Sequence, residues 1–198
     1  MRAPCYTGNR ITHAGCGGWS GPYGETTIDA TQYDQGSRRA STASRDRAAT
    51  MAWARDLAAR LADEQPIQHI AIFVPDDQAD GLRLAAQIWG AGEVIVGDWV
   101  VPLEGSVCGR VFRTGLAALC ADVTMDPDYR AFPGGRSRSS LTVPIGPPDG
   151  VVGVINLEAP WVGAFSIRDY ERMTERAAAA YDAYQVRTIG RGSGPAIC

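Results

Sequence analysis

Cysteines and a pair of polar residues in a late strand are the groups in this chain that can do chemistry. Five cysteines, Cys5, Cys16, Cys108, Cys120 and Cys198, form an odd, widely spaced set without a CxxC pair. A disulfide framework needs an even set and a structural zinc needs tight ligand spacing, so free thiols are expected and no metal site is. Cys5, His13 and Cys16 lack a fourth candidate ligand. Cys108 falls next to a predicted helix N-terminus, where the helix dipole favours a thiolate. A small buried hydrophobe packed between helix and sheet is the plainer role for such a residue. Asn156 and Glu158 alternate with Leu157, so their side chains share one face of a strand. That face is either the floor of a pocket or an ordinary solvated face of an antiparallel sheet. Arg136 and Arg138 suit a carboxylate or phosphate clamp, or plain solvated charge.

These residues must be held by elements that the periodicity of the chain outlines. With 198 residues, 45% of them hydrophobic and 21% charged, the chain fits one ordinary domain plus a tail. Residues 1–43 are rich in Gly, Ser, Thr and Tyr without helical or strand period and are read as a disordered or weakly ordered tail. From Ser44, Ala49, Trp53, Leu57 and Leu61 recur every fourth residue, one stripe of a helix that Pro66 must end. Strands are expected at 69–74, 82–89, 94–101, 116–120, 140–145 and 151–158. Pro144 requires an edge, a bulge or a strand end. Residues 105–114 read as a helix with Ser106 as N-cap and Gly115 as stop. Ser166 and Asp169 approximate a capping box opening a last helix, whose face is Tyr170, Met173, Ala177, Tyr181 and Tyr184.

The polar connection over residues 122–138 exceeds ordinary loop length and is the candidate lid of a pocket. Six strands between an opening and a closing helix predict an α+β fold: an antiparallel six-stranded sheet, N- and C-terminal helices on one face, ligand-pocket loops on the other. No apolar run is long enough to cross a bilayer and no secretion signal is read, so a cytoplasmic protein is expected. Residues 48–198 hold thirteen Arg against eighteen acids, a balance that disfavours nucleic-acid binding.

Five segments stand in a telling order. They are residues 102–115 (PLEGSVCGRVFRTG), residues 121–130 with Pro127-Asp128-Tyr129-Arg130, residues 140–145 (SLTVPI), residues 153–158 (GVINLE) and residues 163–166 (GAFS). Together they resemble the motifs of GAF domains, relatives of PAS domains, over a GAF domain at 44–187 followed by a flexible tail at 188–198. The resemblance implies a sensory module that binds a small molecule in a pocket over the sheet. Trp99, Cys108, Asp122, Tyr129, Arg136, Arg138, Ser140, Asn156 and Glu158 are then the expected ligand-binding residues. Haem and bilin lack a histidine in the expected loop, His13 and His69 lying elsewhere, and no cofactor is expected.

One branch resembled is enzymatic, the free methionine-R-sulfoxide reductases. Cys108 falls on a cysteine that serves thiol recycling there, but the attacking cysteine falls near Pro133. The substrate-side acids fall on Ser140, Asn156 and Glu158, leaving one of three. Cys120 substitutes only if its strand brings it beside Cys108.

The resulting expectation is a small-molecule-binding GAF sensor acting through a conformational change. With no output domain read in the sequence, its signal passes to a partner or to a second copy paired through the terminal helices. The alternatives are a thiol-dependent reductase using Cys108 with Cys120, or a pathway enzyme using Glu158 and Asp122 as acid and base.

Overall fold

A computed structural model of the chain describes residues 6–7, 10–11, 30–64, 69–90, 92–95, 97–132 and 134–189, with side chains between 46 and 187. Residues 1–49 and 50–198 form separate units. In the first, Tyr6–Thr7 pairs antiparallel with Arg10–Ile11, and helix α1 (Ala30–Glu64) begins. The helix thus starts ahead of Ser44. Residues 30–43 contain no proline, and adding residues to an existing helix is easy compared with nucleating one. The helix ends two residues before Pro66, as proline demands. The rest of the stretch read as a tail, and the tail after Ile189, lie outside the described residues.

The second unit is built on strands β1 (His69–Pro75), β2 (Gly81–Trp89), β3 (Val100–Pro102), β4 (Ala118–Cys120), β5 (Ser139–Ile145) and β6 (Gly153–Ala159). They form one sheet in the order β3-β2-β1-β6-β5-β4, and every neighbouring pair is antiparallel. Helix α2 (Val107–Thr114) lies between β3 and β4, and α3 (Ile167–Ile189) closes the domain. The fold is the α+β architecture expected from the strand and helix pattern. Among the described residues no helix is long and apolar enough to cross a membrane.

The strand expected over residues 94–101 shrinks to Val100–Pro102 and a single bridge between Gln87 and Ile95. The pairing with β2 slips by one residue between Ile95, which bonds Gln87, and Trp99, which accepts from Leu84 N, and Gly97 sits in the slip, where a Cβ would fall 2.7 Å from the Leu84 side chain. Pro144 pairs with Val154 on one side, while on the other β4 ends at Ala118 opposite Thr142. The missing N–H of Pro144 therefore costs no ladder bond on that side.

Alternation divides the sheet into two faces. Ile70, Ile72, Leu141, Val143, Ile155 and Leu157 meet Trp53, Leu57 and Leu61 of α1 and Met173, Ala177 and Ala180 of α3, all buried. Each such large side chain contributes roughly 1.5–3 kcal/mol by leaving water. Ser166 Oγ accepts from Asp169 N, and Asp169 accepts from Ser166 N at 2.8 Å, a capping box with Asp in the Glu position.

The opposite face carries α2. Ser106 caps it by accepting from Gly109 N, and Gly115, at φ 65°, ends it. Gly109 lets the helix press onto the preceding turn: a Cβ would fall 2.2 Å from the Leu103 carbonyl. Val107, Cys108 and Val111 then pack on Phe73, Leu82, Leu84 and Val154.

Candidate ligand-binding site

On this second face the polar residues of neighbouring strands fall into register. Ser140 stands opposite Glu158 and Glu158 opposite His69; one step along, Thr142 stands opposite Asn156 and Asn156 opposite Ala71. All of them are buried, Glu158 at 2% exposure and His69 at 0%. The face beneath α2 is therefore not solvated. Burying polar groups requires partners, and most are supplied. Thr142 Oγ1 donates to Asn156 Oδ1 at 2.7 Å, and Asn156 Nδ2 donates to Glu158 Oε1 at 3.1 Å. His69 Nδ1 faces Glu158 Oε2 at 3.5 Å, and its Nε2 meets Gln87 Oε1 at 3.2 Å. Two groups stay short of a hydrogen bond: Ser140 Oγ and His69 Nδ1.

The long connection over residues 122–138 closes onto the same carboxylate. Ser137 Oγ donates to Glu158 Oε2 at 2.6 Å and the Tyr129 hydroxyl to Oε1 at 3.4 Å. Burial works to raise the Glu158 carboxyl, but the His69 imidazole beside it and hydrogen bonds from Ser137 and Asn156 outweigh it, holding it below the ordinary glutamate value. Burial, with the Glu158 charge, pushes the Tyr129 hydroxyl up to about 12. Phe132 is the loop's other anchor, its ring centroid 4.1 Å from Trp99 and 4.7 Å from His69, which in turn stacks on Trp89 at 3.8 Å.

Beneath this loop lies a cavity of about 20 Å3, lined by Ser140, Asn156, Glu158, Cys108, Tyr129 and aromatic side chains including Phe73, Trp99 and Phe132. Room for about one water molecule is what that volume provides. An open depression of about 430 Å3, lined by Leu84, Gln87, Trp89, Trp99 and Phe132 among others, adjoins the outer side of the Phe132 ring.

Six of the expected ligand-binding residues thus converge: Trp99, Cys108, Tyr129, Ser140, Asn156 and Glu158. The other three do not line the cavity. Asp122 caps the turn Val123–Met125 and pairs with Arg138 at 3.0 Å, tying together the two ends of the loop. Its carboxyl is held low by the Thr124 hydroxyl and amide and by Arg138. Arg136 is exposed. Cys120, half-buried, donates to the Asp122 carbonyl at 3.3 Å and lines a separate open depression with Arg110, Asp122 and Asp126. The strand therefore does not bring it into the cavity that Cys108 lines.

Burial, reinforced by the Glu158 charge, drives the Cys108 thiol far above its ordinary value. Desolvation outweighs the helix dipole here, because the residue is 8% exposed and faces an anion. Burial also raises Cys120, with Asp126 adding to it.

Sequence reasoning missed His69, Thr142, Ser137 and Phe132. The phase of β1 held a signal for the first: His69, Ala71 and Phe73 alternate with Ile70 and Ile72, so His69 shares its face with the ligand-side residues. Ser137 and Phe132 lie in irregular backbone, where no period indicates direction.

The fold is shared with solved structures of low sequence identity. Free methionine-R-sulfoxide reductase from Neisseria meningitidis in complex with its substrate superposes with a TM-score of 0.62 at 21% identity, covering 71% of this chain and 80% of that one. The GAF-B domain of DevS from Mycobacterium smegmatis gives 0.56 at 23% identity, over 71% and 96%. The GAF domain of a phosphoenolpyruvate-protein phosphotransferase from Coxiella burnetii gives 0.57 at 17%, over 70% and 84%. No curated protein matches the chain. A family model, the GAF domain, matches residues 44–183, and the chain belongs to the GAF domain family.

Proposed function

We propose that this GAF domain is a regulatory module that binds a small molecule over the sheet and passes on occupancy through the loop 122–138. The observation that carries this reading is the double use of Glu158. Its carboxylate holds the strand residues Asn156 and His69 together, and it is also the group on which the loop hydroxyls of Ser137 and Tyr129 close. A ligand that donates hydrogen bonds to Glu158 competes with the loop for the same oxygens. Occupancy and loop position are then linked by that competition, which is what a ligand-driven population shift needs. Ser140 Oγ, buried and short of a partner, supplies a further contact.

A thermal-shift screen of amino acids, nucleotides and common metabolites on the full chain tests it, with hydrogen exchange of residues 122–138 read on any hit. A saturable rise in melting temperature with altered exchange in the loop is expected. A screen without hits, or hits that leave the loop unaffected, would overturn the proposal. As part of the same reading, the protein acts in the cytoplasm and signals to a protein partner or a second copy. Such pairing would use the outward side of α3, where Ala178 and Ala179 are exposed, since Ala177 and Ala180 are buried in the core.

The thiol-dependent reductase is the second reading, favoured by one observation: Cys108 lines the same cavity as Glu158. Attack on a sulfoxide needs a thiolate, and both burial and Glu158 hold the proton on this sulfur. Turnover of methionine sulfoxide with a dithiol donor, lost in Cys108→Ser, would establish it; no turnover by the wild type removes it.

A further inference from the structure

We infer that the ligand class of this site is a primary ammonium carried on a flat apolar body, with the charge between Glu158 and Ser140 and the body taking the place of the Phe132 ring against Trp99. The inference rests on the reading of the chain as a ligand-binding domain and deepens it.

Phe132 and Trp99 line both the buried cavity and the open depression outside it. Swinging the Phe132 ring aside would join a polar inner end to an apolar vestibule, and the depression alone, at about 430 Å3, falls within the usual range of ligand sites, roughly 300–1,000 Å3. Phe132 belongs to the loop that hangs on Glu158 through Ser137 and Tyr129, so the ring and the two hydroxyls can leave together.

Charge selects the head group. Among the described residues that line the joined space, the acids are Glu158 at the inner end and Asp98 at the mouth, where Arg83 pairs with it at 3.6 Å, and the cation is Arg130. Arg130 is exposed and its Nε is committed to the Gly105 carbonyl at 2.7 Å. His69 packs edge-on against the Phe132 ring, with Nδ1 turned to Glu158 and Nε2 to Gln87, so the imidazole borders the joined space once the ring moves but both its nitrogens already face partners. An anionic head would approach a buried carboxylate and be repelled. A primary ammonium has three N–H donors and no acceptor. Among the described residues Glu158 Oε1 accepts from Asn156 and, at 3.4 Å, from Tyr129, which leaves it able to accept another. Ser140 Oγ, 1% exposed and without a hydrogen-bond partner, provides a second acceptor at the same end. The aromatic side chains of Trp99 and Phe73 complete a wall that favours a cation over an anion.

Calorimetric titration of the full chain with 2-phenylethylamine, 2-phenylethanol and phenylacetate tests the assignment, because the three probes share a body and differ in head group. The amine is expected to bind at least tenfold more tightly than the alcohol, with phenylacetate weakest. Phe132→Ala should tighten the amine about tenfold by removing the ring that must be displaced, and Glu158→Gln should bring it to the level of the alcohol. The three-probe comparison on the wild type stands even if either variant fails to fold. Equal or tighter binding of the alcohol or the acid overturns the assignment, as does an amine that binds neither the wild type nor Phe132→Ala. If metabolites from the general screen bind while the amine is silent, the ligand class is wrong and the ligand-binding role survives. Silence in both experiments overturns both.

Discussion

His69 and Glu158 stand opposite one another on β1 and β6, Nδ1 and Oε2 3.5 Å apart, each side chain at most 3% exposed. A carboxylate so placed is tolerable only because donors surround it. The Glu158 carboxyl titrates lower in the fold than in the unfolded chain, so its contribution is full above the unfolded value, about 4.3. It is lost as pH falls through the folded value. In urea unfolding between pH 6 and pH 3, the stability gap between wild type and Glu158→Gln should stay level at first and narrow below about pH 4.3. A gap that widens on acidification would contradict the assignment.

Phe132 and Phe73 share the aromatic cluster but should respond differently to truncation. Phe73 is 1% exposed, in the middle of β1, and Phe73→Ala should cost about 4 kcal/mol, as for a sealed core site. Phe132 backs onto the open depression, so water can follow its removal and Phe132→Ala should cost only the lost transfer, about 2 kcal/mol. Urea midpoints at constant m-value check the ranking, and equal losses would mean that the ring is ordinary core.

Alkylation should distinguish the two described thiols. At pH 7.5 iodoacetamide is expected to modify Cys120, which is half-buried, well before Cys108, which is buried and held protonated. Peptide mass spectrometry over a time course reads the order, and faster labelling of Cys108 would revive the reductase reading.

Arg110 on α2 clasps the loop by donating to Asp126 and Asp128, each at 2.6 Å. Hydrogen bonding to Arg110 holds the Asp126 carboxyl below its ordinary value against the opposing effect of burial. The guanidinium is a third exposed, so solvent screening limits the clasp, and Arg110→Gln should lower global stability by about 1 kcal/mol or less. Amide exchange over residues 122–132 should nonetheless quicken several-fold, since local opening needs only the clasp and not the core.

Regular elements were legible because their physics is periodic. The fourfold spacing of Trp53, Leu57 and Leu61, the Ser106 and Gly115 caps and the Ser166–Asp169 box all appear in the structure where the sequence implied them. Alternation likewise put Asn156 and Glu158 on one face. What alternation cannot say is which strands become neighbours, so the pairing of Glu158 with His69, distant in the chain, was invisible. The loop was legible in its length but not in its inward contacts: Arg136 and Tyr129 looked equally suited to a ligand, and only Tyr129 turns toward Glu158. The strand expected at 94–101 is interrupted around Gly97, where the pairing with β2 slips by one residue, a shift that alternation does not announce.

The strand order leaves the two three-residue strands, β3 and β4, on the outside, with Pro102 ending the first. Exposed strand borders are where proteins recruit one another into fibrils, by extending a ladder across molecules. A border only three residues long offers few rungs and little reward for such growth. Misassembly by that route is disfavoured.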